Sequence, residues 1–299
     1  MRKVKVITDS CSDLTPELME KYGVDYAKMN TVYKEKTTPA DLSWSYDDVH
    51  ALYGIMRGGD RVTTTQVPVE EFDRIFRLYL GEGYDIVYVG CCVKQSGSVD
   101  TARVHAKEIL PEYPGAKIIV VDSLHASMGE GILAIEGAKY AAQGHDADEV
   151  ASYLEEKRKY LHQFVTVHTL DFLRKSGRIS TTSAFFGNLL GVKPIIIADA
   201  EGAQAAIKKV KGRANSIKEI VSLLSESMTE PEEQTVYVAH ADCEKEEIDL
   251  LVSAIKEKIP CKDVYVGYIG PIIGASIGPD AVAIFGFGKQ ITYKLSDNK

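Results

Sequence analysis

Residues 86–110, IVYVGCCVKQSGSVDTARVHAKEIL, decide the fold class. The stretch begins with the apolar run 86–89, continues through the small and hydroxyl residues Ser96-Gly97-Ser98, and ends in a helical pattern. The same order recurs after the apolar runs at residues 4–7 and 117–121. Strands that alternate with helices at this spacing predict βαβ units and a parallel sheet.

A second region follows, in which strand-like runs dominate. Strands are predicted over residues 164–167 and 192–197, with a short helix over residues 184–190 before the second of them. A chain of 299 residues is long enough for two domains. We predict an α/β fold in which residues 1–160 form a doubly wound, mostly parallel sheet and residues 161–299 a mixed sheet with helices.

Charge and hydropathy narrow the classes of partner. The chain carries 35 Lys and Arg against 43 Asp and Glu, a net charge of −8. This balance argues against a general nucleic-acid surface, because neutralising phosphates requires clustered cations. The sequence contains no run of about 18 uninterrupted apolar residues, so no membrane span is predicted. No apolar secretory segment follows the basic start, so a cytoplasmic protein is expected.

The five cysteines are odd in number and scattered, which is typical of reduced thiols. Cys91 and Cys92 are adjacent, a poor arrangement for a tetrahedral metal, and no C-x-x-C pair is present. Cys11 follows a predicted strand without an evident base beside it. We therefore predict packing roles for these thiols and no metal site.

Two hydroxyl-rich segments fall beyond predicted strands, where ligands of parallel sheets gather. Thr63-Thr64-Thr65-Gln66 precedes a helix predicted to start near residue 69. Its hydroxyls either cap that helix or face a carboxylate bound at its free N–H groups. In Ser96-Gly97-Ser98, Gly97 permits a close backbone approach and Ser96 can donate to an oxyanion. A plain strand-to-helix turn fits the same residues.

Cations and glycines mark three further segments. Arg178 follows a helix predicted over residues 171–175, with Gly177 as its C-cap, so it faces either the helix dipole or an acid head group. The basic run 208–213, KKVKGR, is either a solvated face or a docking site for a phosphate or an acidic partner. The glycine-rich stretch 270–279 predicts a turn that brings backbone close to a ligand.

These segments contain no carboxylate pair, no Ser/His/Asp set and no metal-spaced His/Cys cluster, so no catalytic residue is predicted. Neutral donors with few cations suit holding the head group of a small acid. Two other classes stay open. One is an enzyme that clamps a small phosphorylated or carboxylated metabolite with Arg178 and Lys211. The other is a regulatory module whose ligand state is read by a partner.

Several segments match, in order and over nearly the whole chain, the motifs of one known family. They are Thr8-Asp9-Ser10-Cys11-Ser12-Asp13-Leu14, Thr64-Thr65-Gln66, Ser96-Gly97-Ser98, Val121-Asp122-Ser123, Ala126-Ser127-Met128-Gly129, Gly177-Arg178-Ile179, Leu189-Leu190-Gly191-Val192-Lys193-Pro194-Ile195, Lys209-Val210-Lys211-Gly212-Arg213 and the loop 270–279. In series these segments resemble the DegV family of bacterial fatty-acid-binding proteins.

The resemblance implies a long-chain fatty acid in a buried tunnel between two α/β domains, with no other cofactor. It also implies a non-catalytic carrier subunit that presents its acyl chain to a partner fatty acid kinase. The residues assigned to the fatty acid are Thr64, Thr65, Ser96, Ser276 and Arg178. The residues assigned to the kinase partner are Lys211 and Arg213.

The chain departs from the pattern of the family at three places. In the family loop G-A-H-x-G-P-G a histidine completes the head-group network, and this chain has Ser276 at that position. The family motif L-S-G-T-Y is here Gln95-Ser96-Gly97-Ser98-Val99. Lys211 replaces the first arginine of K-x-R-G-R. The head-group network and the coupling to a kinase therefore differ in detail from the family pattern.

Overall fold

The computed structural model of the chain describes residues 2–180 and 191–298. The chain divides into two compact units. Their ranges are Met1–Trp44 with Val62–Arg158, and Ser45–Arg61 with Lys159–Lys299. The short helix predicted over residues 184–190 lies outside the described residues.

Strands and helices alternate through most of the described chain. The strands are β1 (Lys3–Asp9), β2 (Asp25–Ala27), β3 (Asn30–Tyr33), β4 (Lys36–Pro39), β5 (Thr63–Thr65), β6 (Tyr84–Gly90), β7 (Ile118–Asp122), β8 (Leu161–Thr166), β9 (Val192–Ala198), β10 (Gln204–Lys211), β11 (Thr235–His240), β12 (Asp263–Tyr268) and β13 (Val282–Phe287). The helices are α1 (Pro16–Tyr22), α2 (Tyr46–Arg57), α3 (Val69–Gly81), α4 (Ser98–Ile109), α5 (Met128–Ala142), α6 (Ala147–Lys157), α7 (Asp171–Ser176), α8 (Arg213–Ser227), α9 (Lys245–Lys258) and α10 (Pro271–Ile277). Among the described helices, none is both long and apolar enough to cross a bilayer.

The first unit is built on a parallel sheet, as predicted. Its strands lie in the order β2-β1-β6-β7, and each neighbouring pair runs in parallel. Helices α3 and α4 pack together against this sheet, as do α5 and α6. The fully buried rings of Phe72 and Phe76 contact Tyr88 of β6, with centroids 5.2 and 6.4 Å from its ring. This packing fixes the carboxyl end of β6, from which the loop to α4 departs.

A small antiparallel sheet, β4-β3-β5, also belongs to the first unit. The sequence patterns did not predict it, because its strands have three or four residues and carry few apolar side chains. Strands this short give no clear alternation to detect. The sheet matters for the site because β5 contains Thr64.

The second unit contains a mixed sheet, as predicted. Its six strands lie in the order β10-β9-β8-β13-β11-β12. Only the β11-β12 pair among them is parallel. A hydrophobic core forms where helices α8 and α9 meet the sheet, with Ile220, Leu224 and Leu251 buried against Val238. The two α/β units match the predicted fold class.

Helix α2 groups with the second unit, although the sequence assigns residues 45–61 to the first domain. The helix starts at a capping box, in which the Ser45 hydroxyl accepts from the Asp48 amide and the Asp48 carboxylate accepts from the Ser45 amide. Its buried face includes Tyr53, whose hydroxyl donates to the Ile269 carbonyl at 2.8 Å. A buried hydroxyl bonded this way ties α2 to the end of β12.

The turn predicted over residues 270–279 is wrong in part, because Pro271–Ile277 forms helix α10. Pro271 stands in the first turn of α10, where backbone N–H groups have no acceptor within the helix, so a proline is tolerated. Gly274 is required there by its neighbour: a Cβ at this position would lie 2.5 Å from the Tyr53 hydroxyl. The glycine-rich composition therefore reflects close packing of α10 on α2.

Candidate functional site

The threonine segment of the first unit is a strand rather than a helix cap. Thr64 lies in β5, opposite Thr31 of β3. Helix α3 starts four residues after the end of β5, and its N-cap is Pro68, which makes no side-chain capping hydrogen bond. The helix-capping interpretation of these hydroxyls is therefore wrong. Whether these hydroxyls can donate to a ligand depends on their hydrogen bonds within β5 and to its neighbours.

The side chains of Thr64 and Thr65 point to opposite faces of β5, because side chains alternate along a strand. The Thr65 hydroxyl accepts from Asn30 Nδ2 at 3.2 Å and donates to the Gln66 carbonyl at 3.3 Å. The half-buried Thr64 hydroxyl makes no hydrogen bond among the described residues. Thr64 is thus the threonine with an unused donor.

Gln66 joins the threonine strand to the serine loop. Its Nε2 donates to Thr101 Oγ1 at 2.7 Å, and its Oε1 lies where a Cβ of residue 97 would be, at 2.1 Å. Any larger residue at position 97 would have to displace the Gln66 side chain from this position. The Val67 amide also donates to Ser98 Oγ at 3.1 Å. The end of β5 and the loop before α4 are therefore held side by side.

Ser96 stands in this loop, half-buried. Its hydroxyl lies 3.0 Å from Ser98 Oγ and accepts from the Ser98 amide at 3.3 Å. Ser98 is fully buried and bonded to Val67, so it fixes the position of the Ser96 side chain. The first unit therefore combines two hydroxyl segments that are distant in sequence.

Ser276 and Arg178 lie in the second unit and are linked through Ser176. The Ser176 hydroxyl donates to the Leu173 carbonyl at 3.0 Å and approaches the Ser276 carbonyl at 3.4 Å. The Arg178 Nη1 donates to the Ser176 carbonyl. Gly177 ends α7 with φ 73°, which confirms the predicted C-cap. Arg178 is half-buried and lies directly after α7, which packs against α10, the helix that carries Ser276.

The two residues of the basic run have different environments. Lys211 is exposed at the end of β10. Arg213 is largely buried and donates to Glu247 Oε1 at 2.6 Å, to the Asp280 carbonyl at 2.7 Å and to the Thr166 carbonyl at 3.3 Å. Its guanidinium is therefore engaged within the second unit.

The charge of Arg213 influences its neighbours. Burial alone would raise the pKa of Glu247, but the hydrogen bond and charge of Arg213 outweigh burial and lower it. Burial, and then repulsion by Arg213, lower the pKa of Lys193. Arg57 adds a second cation: it lies 2.5 Å from Asp242 Oδ2 and 2.6 Å from Asp280 Oδ1. Arg57 was not predicted as a site residue, because no sequence motif marks it as a partner of residues so far along the chain.

Comparison with known proteins identifies the family. Residues 3–289 match the family model described as uncharacterised protein, DegV family. The DegV domain-containing protein CPE0026 of Clostridium perfringens is 33% identical over 293 residues, which cover 96% of this chain and 98% of that protein. The chain belongs to the DegV family.

Two solved structures of DegV proteins share this fold. A DegV lipid-binding protein from Thermotoga maritima is 26% identical, with a TM-score of 0.83. A DegV family protein from Thermus thermophilus, described by its fatty acid binding, is 25% identical, with a TM-score of 0.85. Each similarity covers 97% of this chain and 100% of the other.

Proposed function

We propose that this chain is a carrier that binds a long-chain fatty acid and holds its carboxylate with the hydroxyls of Thr64 and Ser96. The proposal draws support from the lipid-binding protein of Thermotoga maritima and the fatty-acid-binding protein of Thermus thermophilus, whose folds this chain shares over nearly its full length. Burial of an acyl chain is favourable by about 0.8 kcal/mol per methylene. The head group then needs only a few donors to orient it.

The observation that carries the assignment is the unused, half-buried hydroxyl of Thr64 on a strand that Gln66 ties to the Ser96 loop. A carboxylate accepts hydrogen bonds strongly from neutral hydroxyls and needs no catalytic group to stay bound. Thr65 faces the other side of the strand with its hydroxyl engaged, so we give the donor role to Thr64. Ser276 and Arg178 remain candidate head-group residues on the resemblance alone.

The proposal includes a non-catalytic role and a buried tunnel for the acyl chain. It also includes presentation of the fatty acid to a partner kinase, with Lys211 as the docking cation. Arg213 contributes to docking only by stabilising the fold around Lys211, because its guanidinium already binds Glu247. An enzyme or regulatory module that acts on a small anionic metabolite is the alternative.

Solvent extraction of the purified protein followed by gas chromatography and mass spectrometry tests the ligand class. We expect a C14–C18 fatty acid in stoichiometric amount. A polar phosphorylated metabolite in its place would favour the enzyme. The absence of any acyl chain, with no thermal stabilisation by added fatty acids, would refute the carrier proposal.

Variants then test the head-group residues. Removing one charge-assisted donor weakens binding by about 1.5–3 kcal/mol, so Ser96→Ala and Thr64→Val should each lose about tenfold or more in affinity. Thr63→Val is the matched control, since Thr63 is exposed on the opposite face of the same strand. If the parent, Ser96→Ala and Thr64→Val bind fatty acid with equal affinity, neither hydroxyl contacts the carboxylate.

A further inference from the structure

Three buried side chains converge in the first unit outside the hydroxyl segments. Cys11 follows β1, Cys91 follows β6 and Glu130 lies in the first turn of α5. β1 and β6 are parallel neighbours, so the residues beyond their carboxyl ends come together. Both sulfur atoms and a carboxylate oxygen lie within 4.8 Å of one another. All three side chains are buried.

Glu130 has an unsatisfied oxygen in this cluster. Its Oε1 accepts from the Thr8 hydroxyl at 2.7 Å and from the Asp9 amide at 3.4 Å. Its Oε2 has no hydrogen-bond partner among the described residues, although Glu130 is 0% exposed. Buried polar atoms in native proteins are almost always partnered. An unpartnered carboxylate oxygen beside two thiols therefore points to a ligand that all three side chains share.

Asp9 lies close enough to interact with the Glu130 carboxyl, but both of its oxygens accept from other donors. Its Oδ1 accepts from the Cys11 amide at 2.8 Å, and its Oδ2 accepts from the Tyr88 hydroxyl at 2.6 Å. Within residues 2–180 and 191–298, no cationic side chain pairs with Asp9 or Glu130. The cluster thus contains several acidic groups and no compensating positive charge from the described residues.

We propose that Cys11, Cys91 and Glu130 bind one zinc ion. Two thiolates and a carboxylate suit a borderline-soft divalent metal, whereas Mg²⁺ and Ca²⁺ require six or more oxygen ligands. Zinc–sulfur bonds of about 2.3 Å and zinc–oxygen bonds of about 2.0–2.2 Å hold ligand atoms at separations this small. Binding releases the two thiol protons, and any proton held by the Glu130 carboxyl, to solvent.

The site would stabilise the first unit rather than act on the fatty acid. It joins the ends of two central strands to the start of α5, and its three side chains are closed to solvent. Structural zinc sites bind as the chain folds, which accounts for ligands that are all buried. Cys92 is not part of the cluster, although it is adjacent to Cys91 and equally buried.

Metal analysis of the full-length chain tests the proposal. The protein is unfolded under reducing conditions, refolded with zinc, freed of loose metal by a chelator, and measured by plasma mass spectrometry. We expect about one zinc per chain in the parent, because the three side chains form a single cluster. Cys11→Ser and Glu130→Gln should each lower the bound zinc at least tenfold. Cys92→Ala is the matched control and should keep its zinc.

Refolding the unaltered chain with cobalt gives a second readout that needs no variant. Thiolate ligands produce a strong near-ultraviolet charge-transfer band, and its presence with tetrahedral visible bands supports the site. The proposal is overturned if the parent binds neither metal, or if Cys92→Ala loses as much zinc as Cys11→Ser. A Cys11–Cys91 disulfide in protein alkylated before purification would also overturn it.

Discussion

The guanidinium of Arg213 forms a bidentate ion pair with the carboxylate of Glu247, with Nη2 2.6 Å from Oε1 and Nε 3.1 Å from both oxygens. The Arg213 side chain is 13% exposed and that of Glu247 22%, so water screens this pair only weakly. Arg213 also donates to the carbonyls of Thr166 and Asp280. One side chain therefore ties the starts of α8 and α9 to the end of β8 and the loop before β13.

Arg213→Ala should destabilise the second unit. The substitution leaves the Glu247 carboxylate and two carbonyls without their donor, and we expect a loss of about 2–3 kcal/mol in the free energy of unfolding. Urea denaturation followed by circular dichroism measures the change. The control is Lys211→Ala, which removes an exposed cation and should change stability by less than about 0.5 kcal/mol. Similar losses in both variants would contradict this account of Arg213.

Lys211 offers a separate test of partner docking. The exposed ammonium group can meet an acidic surface without disturbing the fold. On the proposed carrier function, Lys211→Glu should therefore reduce phosphorylation of added fatty acid by the proposed kinase partner, with a shallower salt dependence of the rate, while fatty-acid affinity stays unchanged. Loss of fatty-acid binding in Lys211→Glu would show instead that this segment supports the ligand.

His240 makes the stability of the second unit depend on pH. Its Nδ1 accepts from the Cys243 amide at 3.2 Å, which requires the unprotonated form. Burial lowers its pKa from 6.5 to about 4, although the charges of Asp242 and Glu247 act in the opposite direction. Between these values the unfolded chain binds a proton that the folded chain does not. The contribution is therefore full above about pH 6.5 and is lost as the pH falls toward 4.

Urea denaturation between pH 4 and 8 measures this contribution. We expect a loss of up to about 3 kcal/mol from His240 across the window. The variant His240→Asn keeps an acceptor near the Cys243 amide but does not titrate, so its profile should be flatter below pH 6.5. Parent and variant should have parallel profiles at pH 7–8. A variant that retains the full acid slope would assign the effect to other groups.

Replacing either of two glycines by alanine should change the free energy of unfolding, in opposite directions. A Cβ at Gly274 would lie 2.5 Å from the Tyr53 hydroxyl and 3.0 Å from the ring carbon that bears it, and Tyr53 is fully buried. Gly274→Ala should lower the unfolding free energy by about 1–3 kcal/mol through overpacking. Gly54 lies within α2, and a Cβ added there would meet no atom within 4 Å. Gly54→Ala should raise stability by about 0.5–1 kcal/mol. Thermal melts of the two variants compare them, and a neutral Gly274→Ala would contradict the packing argument.

The sequence predicted the fold where hydrophobic patterns are long. Apolar runs such as residues 86–89 fall within strands of the observed sheets, and Gly177 ends the helix for which it was predicted as C-cap. The patterns did not predict α2 or the β4-β3-β5 sheet. Those elements are short or mostly exposed, and they are specified by distant contacts such as that of Tyr53 with the Ile269 carbonyl.

The hydroxyl residues of the site could be predicted, but their geometry could not. Ser96 and Thr64 were selected by residue type, whereas the link through Gln66 and Gly97 depends on a fit that only three-dimensional packing creates. The grouping of Cys11 with Cys91 has the same origin. They are far apart in the sequence, and strand pairing rather than spacing brings them together.

Ser276→His tests the place where this chain departs from the family pattern, and it rests on the proposed fatty-acid function. Ser276 is half-buried on α10, and its hydroxyl is neutral at every accessible pH. An imidazole there has an ordinary pKa near 6.5 and becomes cationic below it. Fatty-acid affinity of the variant should therefore rise by about tenfold between pH 8 and 5.5, as expected for a charge-assisted hydrogen bond of about 1.5 kcal/mol.

Binding isotherms from pH 5.5 to 8 compare Ser276→His with the parent and with Ser276→Gln, which places a neutral donor of similar reach at the same position. The parent and Ser276→Gln should give flat profiles, because neither adds a group that titrates in this range. A step near pH 6.5 in the parent would mean that one of its own histidines already acts on the carboxylate, and the account based on hydroxyl donors would then be wrong. A flat profile in Ser276→His would place residue 276 outside the reach of the head group.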